Sequence, residues 1–184
     1  MTNAAFSQKN IVYRVSYRDV KYPRLEFKTG ELLLVLPFGR EHNLLMKKHR
    51  TWILKKIEFI EDCLKSSANK EISDRTDNEL KDLVYSFATK YSKKLGIKLN
   101  HIYFRRMKSK WASCSSKGNL TINILIRHLP EHLVEYVVFH ETAHVIEKRH
   151  NQKFWGLVSK VFNNYQELEK DLFAYWFRVA EILR

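Results

Sequence analysis

Cysteine is scarce in this sequence. Cys63 and Cys114 are the only two, too few and too isolated for a disulfide framework or a CxxC zinc site, so a reducing compartment is expected. Long apolar runs are missing as well. No stretch approaches the roughly 18 apolar residues that a membrane-spanning helix needs. The opening MTNAAFSQKN has no charged segment followed by an apolar one, as a secretory signal would. These absences together point to a cytoplasmic protein. Acidic residues are the minority charge, 20 against 33 Lys and Arg, for a net charge of +13. That balance favours polyanionic partners such as nucleic acid or phosphorylated substrates, although a solvated basic surface gives the same count. Internal repeats and low-complexity tracts are also lacking.

What is present is the composition of a folded chain: 184 residues, 45% hydrophobic and 13% aromatic, enough for one domain with at most a small appendage. In the front half, "NIVYRVSY" and "PRLEFK" alternate apolar and polar side chains, and "ELLLVLP" is a short buried-type run after Thr29-Gly30, so a small antiparallel sheet is expected. From Glu41 to about Ser66, the spacing of Leu45, Trp52, Ile53, Ile57, Ile60 and Leu64 predicts one long amphipathic helix. "SSANKEISDR", residues 66–75, is polar and aperiodic. It reads as a linker between a front region, 1–66, and a back region, 67–184, of one compact unit.

Thr76 with Glu79 forms a capping box for a second helix, whose Leu80, Leu83, Val84, Phe87, Tyr91 and Leu95 face inward before Gly96 ends it. Two strands, "HIYFRRM" and "NLTINILI", flank "KSKWASCSSKG", with a turn at Lys117-Gly118. Pro130 then opens a helix that buries Leu133, Val134, Val137, Val138 and Ala143. A further helix is expected from Asn151, and "YQELEKDLFAYWFRVAEIL" predicts a last amphipathic one.

The helix after Pro130 carries "FHETAHVIEKRH". His140 and His144 are four residues apart and lie one turn apart on one face, a gap that a single metal ion bridges. Glu141 sits about 100° round from His140, close enough to act on a metal-bound water without being a ligand. Zinc chemistry asks for this pattern: neutral imidazoles hold the ion, an open position takes water, and the nearby carboxylate takes the water's proton. His150 follows His144 by six residues, the spacing of the HExxHxxGxxH pattern, but Glu147 stands where that pattern has glycine. The competing reading is three histidines on a wet helix. His42, His49, His101, His128 and His132 have no partner at ligand spacing and read as surface or structural residues. Cys114 reads as packed.

Taken in order, "FRRMKSKWASCSSKGNLTINILI" and "LPEHLVEYVVFHETAHVIEKRHNQKFW" resemble the YgjP-like metallopeptidase family, related to the WLM and SprT-like zinc proteases. The shared parts are a basic stretch ending in a Trp-Gly-Ser-Cys element, a strand, HExxH, and His-Asn/Ser-x-x-Phe-Trp. In the front half, "LVLPFG" and "RTWILKKI" extend the likeness to nearly the whole chain. Thr142 replaces the usual Leu, and Ala112 the usual Gly. The resemblance implies an α+β fold, with a small zincin-like core of antiparallel strands on the HExxH helix and an N-terminal sheet and long helix. It also implies one zinc per chain on His140, His144 and His150, with Glu141 as catalytic base. Phe154 and Trp155 read as packing behind the metal helix.

The expected function is a zinc-dependent hydrolase, a metallopeptidase acting on peptides or proteins. "NLTINILI" is its candidate substrate-binding edge strand, and Tyr136, His132 and Arg106 are unranked candidates for oxyanion stabilisation. A second possibility rests on Arg105, Arg106, Lys108, Lys110 and Lys117, interleaved with Tyr103, Phe104 and Trp111, as phosphate or nucleic-acid contacts. It takes three forms: a metal-dependent nucleoside triphosphate pyrophosphatase, a DNA-associated protease, or a non-catalytic zinc-containing nucleic-acid-binding module.

Overall fold

β1 (Asn3–Phe6), β2 (Ile11–Tyr17), β3 (Arg24–Lys28) and β4 (Glu31–Leu36) form a four-stranded sheet in the order β1-β2-β4-β3. The computed structural model describes residues 3–6, 11–28, 31–39, 43 and 47–183. β4 carries the continuous apolar run, and Leu34, Val35 and Leu36 are buried. An interior position suits such a strand, because side chains on both of its faces leave water. β4 pairs antiparallel with β3 but parallel with β2, so the sheet is mixed rather than wholly antiparallel. β3 takes an edge, where Arg24 and Glu26 pair at 2.7 Å and charge discourages further strand pairing. β1 was not foreseen; four residues of mixed character show too little alternation to announce a strand.

Helix α1 runs from Arg50 to Ser67. Residues 41–42 and 44–46, including Leu45 of the expected stripe, lie outside the described residues, and His49 is a turn. Ile53, Ile60 and Cys63 are buried, whereas Trp52 and Leu64 are exposed. Trp52 adjoins Ile53 and so lies about 100° round the helix from it. The chain divides into two compact units, Met1–Lys65 and Ser66–Arg184. The second holds every candidate chemical group singled out above. Among the described residues, no helix is long and apolar enough to cross a membrane.

In the second unit, β5 (Ile102–Arg105), β6 (Ala112–Cys114) and β7 (Leu120–Asn123) form a sheet in the order β5-β7-β6. β7 is parallel to β5 and antiparallel to β6. Its sequence, "NLTINILI", was expected to be one strand, but it ends at Asn123 and continues as a 3-10 turn, Ile124–His128. Asn123 makes the change. It is fully buried, its Oδ1 accepts from Met107 N and Leu125 N, and its Nδ2 donates to Met107 O and Lys110 O at 2.9 and 2.7 Å. One amide therefore satisfies the strand end and pins the basic loop leading into β6. Gly118, at φ 72°, makes the β6–β7 turn in a conformation that favours glycine, and a Cβ there would sit tightly, 3.1 Å from Lys98 O.

Helix α2 (Asp77–Leu95) begins with the Thr76–Glu79 capping box and ends at Gly96 in the left-handed conformation. It packs on α3 (Glu131–Ala143), which also lies against β6, α4 (Gln152–Ser159) and α5 (Tyr165–Ile182). Leu133, Val134, Val137, Val138 and Ala143 are all buried in the shared core. Within this unit the polar 66–75 stretch is tied down: Lys70 pairs with Asp171 at 2.7 Å, Ser73 N–H donates to His128 O, and Arg75 donates to the carbonyls of Arg127 and Leu129.

Glu135 joins α3 to α2, accepting from Tyr91 Oη at 2.8 Å and Lys90 Nζ at 2.5 Å. Burial pushes its pKa up, but the Lys90 and Tyr91 bonds outweigh this and hold it below the ordinary carboxylate value. A depressed carboxyl stabilises the fold above its unfolded pKa of about 4.3, and the contribution disappears as pH falls through the folded value. Glu135→Gln is therefore expected to lower stability at pH 7 by on the order of 1 kcal/mol, discounted for solvent exposure. Urea melts should show a smaller difference at pH 3 than at pH 7; an equal difference at both would refute the ion pair as its source.

Candidate metal centre

Tyr136, His140 and His144 follow one another at one-turn intervals along α3. The helix ends at Ala143, and His144 is its C-cap, still with helical dihedrals. Thr142, where Leu was the family habit, is fully buried and satisfies its hydroxyl by donating to Val138 O at 2.6 Å. The turn that follows needs no glycine at Glu147. Its carboxylate accepts from Arg149 N–H, and the Asn151 side chain caps α4 through Lys153 N and Phe154 N. Together these bonds shape the short loop that carries His150 back toward α3.

The ligand nitrogens of His140, His144 and His150 all lie within 4.8 Å of one another. His140 Nε2 and His150 Nε2 are 2.9 Å apart. His144 Nδ1 meets the carbonyl of Glu147 at 3.0 Å, and His140 Nδ1 meets Glu169 Oε1 at 3.3 Å. Each of these rings is thus held on its outer side by an oxygen acceptor, which leaves its other nitrogen a lone pair. Burial, and then the neighbouring His140 and His144, lowers the pKa of His150 and favours the neutral imidazole. Phe154 stacks on His144 at 4.5 Å, and Trp155 stacks on His150 at 5.5 Å with Tyr165 on its other face. The Phe-Trp pair therefore walls in the histidines directly. Three imidazoles converging in this way, two of them held from behind by oxygen acceptors, fit a divalent metal with borderline-soft character.

The cavity in front of the histidines has a volume of about 620 Å³. β6 and its flanks, Ser109 to Ser116, line it together with Glu141, Lys148 and Glu169. Burial raises the Glu141 pKa, opposed by His140 and His144, by the Cys114 backbone N–H that it accepts, and by Lys110. Burial and then Glu141 push the Cys114 thiol up to about 11, so it stays protonated at neutral pH. Ala112, which stands where the usual residue is Gly, is buried in the core as the first residue of β6.

The sheet order corrects the expected substrate strand. "NLTINILI" supplies the central strand β7, already paired on both sides, so it offers no free edge. β6 is the edge. Trp111 O accepts from Asn123 N, and Ser115 N donates to Asn119 O. The antiparallel alternation then turns the main-chain groups of Ala112 and Cys114 away from β7.

Of the basic stretch, only Lys110 lines the cavity; Arg105, Arg106, Lys108 and Lys117 are exposed elsewhere on β5 and the adjoining loops. Trp111 donates its Nε1–H to Leu172 O at 3.2 Å and packs its ring nearly perpendicular to Trp176, anchoring the start of β6 to α5. Among the oxyanion candidates, His132 and Arg106 are exposed and do not line the cavity, whereas Tyr136 does. The Tyr136 hydroxyl already donates to Glu169 Oε1 at 2.6 Å. Lys110 and Lys148 remain as cations on the wall. Glu169 went unnoticed in the sequence because nothing in the spacing of an amphipathic helix marks one exposed-type glutamate among several.

Residues 12–175 match the YgjP-like metallopeptidase domain. The chain belongs to the YgjP-like metallopeptidase family. A YgjP-like protein is a metallohydrolase of the peptidase type, with a centre that takes a divalent metal, and the resemblance read from the sequence is borne out. Two solved structures are similar to this YgjP-like chain. The metallopeptidase zymogen abylysin of Pyrococcus abyssi is 27% identical, covers 48% of this chain and 90% of its own, and has a TM-score of 0.45. The metallopeptidase zymogen jannalysin of Methanocaldococcus jannaschii is 27% identical, covers 53% of this chain and 95% of its own, and has a TM-score of 0.43. A search of curated proteins gives no match.

Proposed function

We propose that the protein is a zinc-dependent peptidase, with His140, His144 and His150 as ligands and Glu141 as the general base. The observation that carries this reading is the convergence of three imidazoles beside a half-buried carboxylate, all opening onto the outer edge of β6. A bound zinc ion would polarise the scissile carbonyl and acidify water. Glu141 takes the proton of the attacking water and returns it to the leaving amine. Its burial and raised pKa suit a group that must hold that proton between the two transfers. β6 receives an extended substrate through main-chain hydrogen bonds, which accept many side chains. Lys110 and Lys148 leave the walls cationic.

Wild type and Glu141→Ala should be tested with zinc against an unstructured protein, nucleoside triphosphates, and protein bound to single-stranded DNA. Glu141-dependent cleavage of the unstructured protein is expected. Turnover of triphosphates alone would move the assignment to the pyrophosphatase, and cleavage only in the presence of DNA to the DNA-associated protease. No Glu141-dependent turnover at all would favour a binding module.

A further inference from the structure

The outer side of the His140 ring is held by two residues that the HExxH segment does not contain. We propose that Glu169 and Tyr136 are positioning residues for the metal centre: the Glu169 carboxylate accepts from both the Tyr136 hydroxyl and His140 Nδ1, fixing the ring and its tautomer. This inference rests on the reading of His140 as a ligand.

The reasoning is hydrogen-bond accounting. Tyr136 has one O–H, and it is donated to Glu169 Oε1 at 2.6 Å. At 3.5 Å from His140 Nδ1, the tyrosine oxygen therefore has only a lone pair to offer. Glu169 Oε1, 3.3 Å from the same nitrogen, is already accepting a proton and likewise presents a lone pair. Both neighbours of Nδ1 are acceptors, so the ring hydrogen belongs on Nδ1. Nε2 then presents its lone pair toward His150 Nε2, 2.9 Å away, on the side where a metal must sit.

The support is rigid. Tyr136 and His140 are one turn apart on α3, so the helix presents both to one carboxylate. Tyr136 is fully buried, with its ring edge-on to Phe162 at 5.3 Å, and its hydroxyl cannot wander. Glu169 comes from α5, 29 residues beyond His140, so the contact ties the metal helix to the last helix of the unit. Outer-sphere partners of this kind are worth about 10- to 100-fold in metal affinity.

The test compares wild type with Glu169→Ala, Glu169→Gln, Tyr136→Phe, His140→Ala, and Glu167→Ala as an exposed control on the same helix. Zinc affinity is measured by chelator competition, and ring tautomers of the metal-free proteins by long-range 1H–15N correlation. Wild-type His140 is expected as the Nδ1–H form. Glu169→Ala should lose that form and bind zinc about 10- to 100-fold more weakly. Glu169→Gln, which keeps an acceptor oxygen, should recover much of both, and Tyr136→Phe should show a smaller loss. The control should match wild type. If Glu169→Ala does not fold, Glu169→Leu, which fills similar space without an acceptor, takes its place. Wild-type affinity and an unchanged tautomer in folded Glu169→Ala, or in Glu169→Leu where that is used instead, would overturn the proposal. Failure of the ligand assignment looks different: His140→Ala would then bind zinc as well as wild type, and the positioning role would fall with it.

Discussion

Glu141→Gln should keep its metal and lose its chemistry, with peptide turnover falling by about 10²- to 10⁴-fold, the range for removal of a general base. Glutamine has the size of glutamate and still offers an oxygen to the Cys114 N–H that Glu141 accepts, so β6 should stay where it is. What glutamine cannot do is take a proton from water. Metal content and kcat measured on the same preparation separate the two effects, because loss of metal would lower activity for a different reason. A variant that turns over at the wild-type rate would mean that the base lies elsewhere on the cavity wall.

His150→Ala should act the other way, through the metal itself. His150 is exposed, on the short loop between α3 and α4, so truncating it removes little packing. It leaves two imidazoles where three converged, and affinity should fall by more than the roughly 100-fold upper range for an outer partner. Linkage makes this visible in melting curves. Wild type at a free metal concentration about 100 times its Kd gains about 2.7 kcal/mol, roughly 5–10 °C for a chain of this size. The variant at the same concentration should gain little, and chelator should bring both to similar midpoints. Full metal-dependent stabilisation of His150→Ala would remove it from the ligand set.

The parts of the site that could be read in advance are those set by short spacings along one element. His140 and His144 fall on one helical face because 3.6 residues make a turn. Thr76 and Glu79 cap α2, and Gly96 and Gly118 mark turns, through contacts within a few residues. Those not legible depend on partners far along the chain. "NLTINILI" has the alternation of a strand, but alternation is silent on whether a strand is central or at an edge. That choice was made when β5 and β6 took its two sides, and with it the free edge moved to Ala112–Cys114. The long helix of the front half was expected without a break, because one apolar stripe cannot show where a turn such as His49 interrupts it.

The sequence by itself determined the chemistry on offer: two histidines and a glutamate on one helix, a third histidine six residues on, and membership of a metallopeptidase family. Only the tertiary structure decided which groups complete it. Asn123 pins the loop that puts Lys110 on the cavity wall, β6 presents its edge to Glu141, and Glu169 reaches His140 from α5. The physical reason is range. Helical periodicity fixes neighbours through a few covalent bonds, whereas the meeting of α5 with α3, or β6 with β7, depends on burying a shared core, and no local spacing encodes that partner.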